Sequence, residues 1–238
     1  MSSKKITKTK LLLVEGKDEE HFFSKLTSEL GLNNIQIWEI GGKTKFARNL
    51  KAVCKTPGHD SVMSIGIVRD ADKNSTDAFR SICYALEKAG LSVPTEPLIP
   101  TNDVPRVTVM VLPVGERKGM LEDVCLKSVS HHPAMDCVES YFQCLEERVE
   151  PEELSRNSAK TRVRAFLAAM EWMEEAYFNS IQEYVRIHPP DDPITEKTHA
   201  FLSSRYKPNL DLGIAAKEGY WRLDNSVFDP IKHFLKEF

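Results

Sequence analysis

Ser64-Ile65-Gly66-Ile67-Val68-Arg69-Asp70-Ala71-Asp72-Lys73 decides how the chain folds. The apolar run from about Val62 to Val68 suits a strand buried on both faces of a parallel sheet. Two carboxylates, one residue apart, then stand where that strand should end. On an extended chain, residues two apart point the same way. Side by side at about 5–7 Å two carboxylates repel, and a cation between them relieves the repulsion. The carboxyl end of a strand is also where open α/β sheets place their ligands. A hard-oxygen ligand set favours Mg²⁺ or Mn²⁺ over zinc. Asp-x-Asp also occurs in ordinary strand-end turns, so the rest of the chain has to decide.

Upstream, Lys10–Val14 is a second short apolar run, ending in Glu15-Gly16-Lys17-Asp18. A helix from Glu19 to Leu30 should follow, with Phe22, Phe23, Leu26 and Leu30 on one side, Asp18 as N-cap and Gly31 as its stop. Ile35–Ile40 alternates as a strand, Gly41-Gly42-Lys43 turns, and Thr44–Lys55 presents Phe46, Leu50 and Val53 as a helical face. Downstream, Thr76–Ala89 has the helical period and Val107–Leu112 forms a fourth strand. Strands alternating with helices long enough for crossovers predict a parallel sheet.

Beyond Pro113 the pattern turns helical: Gly119–Ser128, Ala134–Glu147, Ser158–Met173, and a further helix from about Glu174 into the 180s. A loop at Pro189–Pro193 and a short amphipathic helix with Pro230 near its start complete the chain. The expected architecture is α/β: a Rossmann-like parallel sheet flanked by helices over residues 1–128. A mainly helical extension, 129–238, is expected to pack on it.

The net charge of −3 supplies no global pull on nucleic acid, so any such contact needs a local basic face. No apolar run approaches the roughly 18 residues that span a membrane, and the polar start does not read as a signal peptide. Cys54, Cys83, Cys125, Cys137 and Cys144 have no C-x-x-C spacing and read as buried free thiols of a reducing cytoplasm.

In a parallel sheet, strand ends of one kind share an edge. Glu15 after strand one, Asp70 and Asp72 after strand three, and Glu122 and Asp123 after strand four therefore fall at equivalent places. Leu11-Leu-Leu-Val-Glu15-Gly16-Lys17-Asp18, taken with Ile67-Val-Arg-Asp70-Ala-Asp72, resembles the topoisomerase–primase (Toprim) domain over roughly residues 8–128. Gly119-Met-Leu-Glu122-Asp123 and the Tyr220-Trp221…Phe228-Asp-Pro230 tail resemble a Toprim-like family related to the OLD-family nucleases. The resemblance implies that Glu15 is a metal ligand or acid/base group and that Asp70 and Asp72 are the metal-binding pair. It further implies that Glu122 completes a second metal site. The sequence departs from the wider pattern, with no topoisomerase tyrosine context, no primase zinc motif and no ATPase domain such as OLD proteins carry in cis.

The residues suit phosphodiester cleavage independently of that resemblance. Two divalent cations held by clustered carboxylates activate water and neutralise a leaving oxygen. Lys17, Lys43 and Lys73 flank the same edge as candidate phosphate contacts, as do the N–H groups of Gly41 and Gly42. Lys160 is a further candidate on a distant helix. His131-His132 lack the helical spacing of metal pairs, and Tyr220 and Trp221 read as packing residues. Two expectations stay open. One is a Mg²⁺-dependent nuclease acting on DNA or RNA. The other is a non-catalytic module binding metal or nucleotide, as a homo-oligomer or as a partner or regulatory subunit.

Overall fold

Leu11, Leu12, Leu13 and Val14 are all fully buried, as the unbroken run requires, and they form the spine of the sheet. The computed structural model describes residues 5–150, 158–170, 173 and 211–238. Four strands, β1 (Lys10–Val14), β2 (Ile35–Glu39), β3 (Ser64–Asp70) and β4 (Arg106–Leu112), lie all parallel in the order β2-β1-β3-β4. The intervening helices are α1 (Lys17–Glu29), α2 (Phe46–Val53) and α3 (Ser75–Ala89). The expected α/β architecture is the one found.

The strand order fixes where a ligand can enter. From β1 the chain steps to β2 on one side, then jumps to β3 on the other and continues to β4. Between β1 and β3 the crossovers leave on opposite sides and open a crevice at the carboxyl ends of those two strands. Glu15 follows β1 directly, and Asp70 is the last residue of β3. Both therefore stand at the crevice.

The chain divides into two units, Met1–Ser128 with Leu212–Phe238, and Val129–Asp211. Residues 212–238, expected within the helical extension, thus belong with the sheet. On one face of the sheet Leu11, Leu13, Ile65, Ile67, Val107 and Val109 pack with Phe46 and Leu50 of α2 and with Ile82 and Leu86 of α3. The helix Leu212–Glu218 packs on α1, and Phe228 reaches Phe22 at 5.7 Å between ring centroids. Trp221 is buried and its indole N–H donates to the Leu212 carbonyl at 3.0 Å, so it serves the core. The last residue, Phe238, lies over Gly66 in the middle of β3: a Cβ there would stand 2.9 Å from the ring and 3.0 Å from Leu12. Gly66→Ala should therefore cost about 1–3 kcal/mol by overpacking. Urea denaturation checks this, and a change within about 0.5 kcal/mol would show that the terminal helix is not seated on β3.

After α4 (Leu121–Ser128), the second unit opens with α5 (Pro133–Glu146), capped by His132, whose Nδ1 accepts from the Ala134 N–H at 3.2 Å. Residues 158–170 are helical, and Arg162 donates to Glu139 at 3.1 Å and stacks on Phe142. The expected helix after Glu174 and the loop at Pro189–Pro193 lie outside the described residues. All five cysteines are free thiols, but the expectation of burial holds for Cys125 alone, and Cys137 is exposed. Among the described residues no helix is long and apolar enough to cross a membrane.

Candidate metal and phosphate site

Asp70 ends β3 with its carboxylate anchored: Oδ1 accepts the Leu121 N–H at 3.0 Å, at the start of α4 (Leu121–Ser128). An acid at a helix N-terminus is favourably placed toward the helix dipole. Its other surroundings are hostile to charge. Burial above all, then the negative charges of Glu122 and Glu19, hold Asp70 well above the ordinary carboxylate range, and Glu15 adds to the effect. Glu122 is itself buried. Glu19 is raised too, by burial first and then by Glu122 and Glu15. Glu15 just after β1, Glu19 on α1 and Glu122 on α4 thus all raise Asp70 at the end of β3.

Asp72 takes another course. The alternation that would set Asp70 and Asp72 side by side needs an extended chain, but β3 ends at Asp70 and Asp72 has φ 51°. Asp72 exchanges two backbone hydrogen bonds with Gly119, at 2.8 and 3.0 Å, and its side chain pairs with Lys43. Both members of that pair are partly exposed, so the bridge adds no more than about 1 kcal/mol to stability. Asp123 is engaged in its own helix start, where Oδ2 accepts the Met120 N–H at 2.8 Å. Of the two acids after strand four, Glu122 is the one whose charge raises Asp70.

The expected phosphate contacts separate in the same way. Lys43 stands at the edge on Asp72. Lys17 is held by Glu20 at 2.6 Å and Glu39 at 3.3 Å. Lys73 is exposed, and Lys160 belongs to the other unit. Gly41 has φ 79° and begins the turn into α2, which Lys45 closes by donating its N–H to the Gly42 carbonyl at 2.8 Å. A Cβ on Gly42 would lie 3.8 Å from Glu15 Oε1, so this turn and Glu15 are neighbours.

Two residues of the site carry no sequence motif. Glu19 lies in the first turn of α1, four residues after Glu15, and its only signal is that the helix starts at the sheet edge. Helix α1 opens at Lys17, with Gly16 as N-cap and not Asp18, because the chain enters the helix straight from the turn after Glu15. Arg69 is buried on β3, its guanidinium 5.6 Å from the Phe46 ring centroid. Burial lowers its pKa, while the charges of Glu15 and Asp70 oppose that.

The donors fit a hard divalent cation in kind, being carboxylates at the open end of the sheet. The mutual repulsion on Asp70 is of the sort such a cation relieves. Among the described residues, no three His, Cys, Asp or Glu side chains are already gathered in metal-ligand geometry.

Fold and edge together define a class: an α/β protein with an acid-lined crevice at the switch point of a four-stranded parallel sheet. The family model described as a protein of unknown function (DUF3226) matches residues 9–203, and the chain belongs to that family. No curated protein matches the sequence. Among solved structures, the chain is similar to the C-terminal region of the Burkholderia pseudomallei OLD protein, at 12% identity and TM-score 0.42, covering 97% of this chain and 98% of that one. It is also similar to the C-terminal region of the Xanthomonas campestris pv. campestris OLD protein, at 14% identity and TM-score 0.36, covering 96% and 98%. The assignment of the fold rests on the sheet itself.

Proposed function

We propose that this chain is a Toprim-like, OLD-related enzyme that processes phosphodiesters with Mg²⁺ or Mn²⁺, acting as a nuclease on DNA or RNA. The observation that carries the reading is the placement of Glu15 and Asp70 at the carboxyl ends of β1 and β3, with Asp70 fixed by the Leu121 N–H next to the buried Glu122. Asp70 and Glu122 are the residues to hold a cation, which when bound supplies Lewis acidity toward a phosphoryl oxygen. Glu15, beside the Gly41–Gly42 turn, takes a further ligand position or manages a proton at the reacting oxygen. Lys43 offers its charge to a phosphate once drawn off Asp72.

One observation favours a second reading, a module that binds metal or nucleotide without cutting. Asp72, half of the expected metal pair, is paired with Lys43. Cleavage decides between them. Purified protein incubated with plasmid and single-stranded substrates in Mn²⁺ or Mg²⁺ should nick or degrade them, and Asp70→Asn should not. Equal residual activity in both proteins would assign the cutting to a contaminant and remove the enzyme reading.

A further inference from the structure

We propose that Arg69 is a phosphate-binding residue of this site, seating one phosphoryl group of the substrate at the start of α2 beside Glu15. The proposal rests on the reading of the chain as a phosphodiester-processing protein, and it adds a residue to which no motif points. Arg69 is 7% exposed, and its Nε and Nη1 are enclosed without a hydrogen-bond partner. A charged donor left buried with no acceptor is strongly disfavoured, so a residue kept in that state calls for an anion that completes it. Guanidinium matches phosphate oxygens in both charge and planarity.

The place it occupies favours an anion independently. Phe46, over whose ring the guanidinium lies 5.6 Å from the centroid, is the first residue of α2. That helix has no side-chain cap and no acid in its first turn, so its leading N–H groups and positive end have no side-chain acceptor. The Gly42 position nearby lies against Glu15. On this corner a phosphate would be bound by Arg69 and the α2 start, with its reacting side toward Glu15 and Asp70. Those carboxylates repel it, so anion and divalent cation should each strengthen the binding of the other.

The test uses the full chain and inorganic phosphate at constant ionic strength, with and without Mg²⁺, read as a shift in melting temperature. Phosphate should stabilise the wild type, more so with Mg²⁺. Arg69→Met should weaken apparent phosphate affinity tenfold or more while keeping the Mn²⁺-induced shift. Arg69→Lys retains the charge in case the Met variant does not fold, and it should respond between the two. Oligonucleotides with 5′-phosphate or 5′-hydroxyl ends, bound in Ca²⁺, identify the source. An Arg69-dependent preference for the phosphorylated end assigns a terminal phosphate, and an equal Arg69-dependent loss for both assigns an internal one. A wild type indifferent to phosphate, or an Arg69→Met variant that responds as wild type does, overturns the proposal. An Arg69-dependent phosphate response in a protein that never cuts keeps this subsite and removes the nuclease. Cutting with unchanged KM in Arg69→Met does the reverse.

Discussion

Glu15→Gln is expected to lower turnover by about a hundredfold or more while leaving nucleic-acid binding nearly intact. Gln keeps the size of the side chain and removes its charge. Glu15 follows β1 at the crevice, beside Gly42, with its charge felt by Arg69, Glu19 and Asp70. None of these relations supplies affinity for a phosphate backbone. That comes from cationic groups such as Lys43 and Arg69. Removing a negative charge from the same edge reduces repulsion, so binding should hold or tighten slightly. Binding measured in Ca²⁺ and cleavage measured in Mn²⁺ separate the two effects. A wild type that binds and never cuts, with Glu15→Gln indistinguishable from it, leaves the binding module as the reading.

The fold was legible because its signals are local. Unbroken apolar runs at Leu11–Val14 and Ile65–Val68, each followed by a helical period, leave few arrangements other than a parallel sheet with crossovers. The positions of Glu15 and Asp70 were legible for the same reason, since a strand end can be located from the sequence around it, whereas Glu122 lies past β4 in the first turn of α4. What escaped depends on distant contacts or on one dihedral angle. Gly66 in a buried strand makes sense only once Phe238, far along the chain, lies over it. The parting of Asp72 from Asp70 turns on a left-handed residue at position 72 and a bridge to Gly119. Asp tolerates that conformation well enough to leave no trace in the pattern. Arg69 reads in sequence as a charge at a strand end, and only the packing of Phe46 beneath it makes it a buried cation.

Asp70→Asn should abolish stabilisation by metal and flatten part of the pH dependence of the metal-free protein. At a hundredfold excess of Mn²⁺ over its dissociation constant, mass action adds about 2.7 kcal/mol, or roughly 5–10 °C for a chain of this size. Asn cannot supply the anionic ligand, so that rise should vanish. Without metal the variant should be no less stable than wild type, because the substitution removes a carboxylate crowded by Glu122 and Glu19. The sign of the pH effect follows from the same crowding. Asp70 is raised when folded and returns to its ordinary value, near pH 4, when unfolded. Between those two values the folded chain holds the extra proton, so metal-free wild type loses stability as pH rises through that window. A cation competes with this proton, and the metal-induced shift in wild type should grow over the same interval. Glu19 is raised as well and contributes a slope of the same sign, and because its charge acts on Asp70 the difference between wild type and variant reports Asp70 together with that coupling. Melting curves from pH 4 to pH 8, with and without Mn²⁺, carry the whole test. A metal-induced shift of equal size in both proteins would take Asp70 out of the cation site and leave its position at the head of α4 as a structural cap.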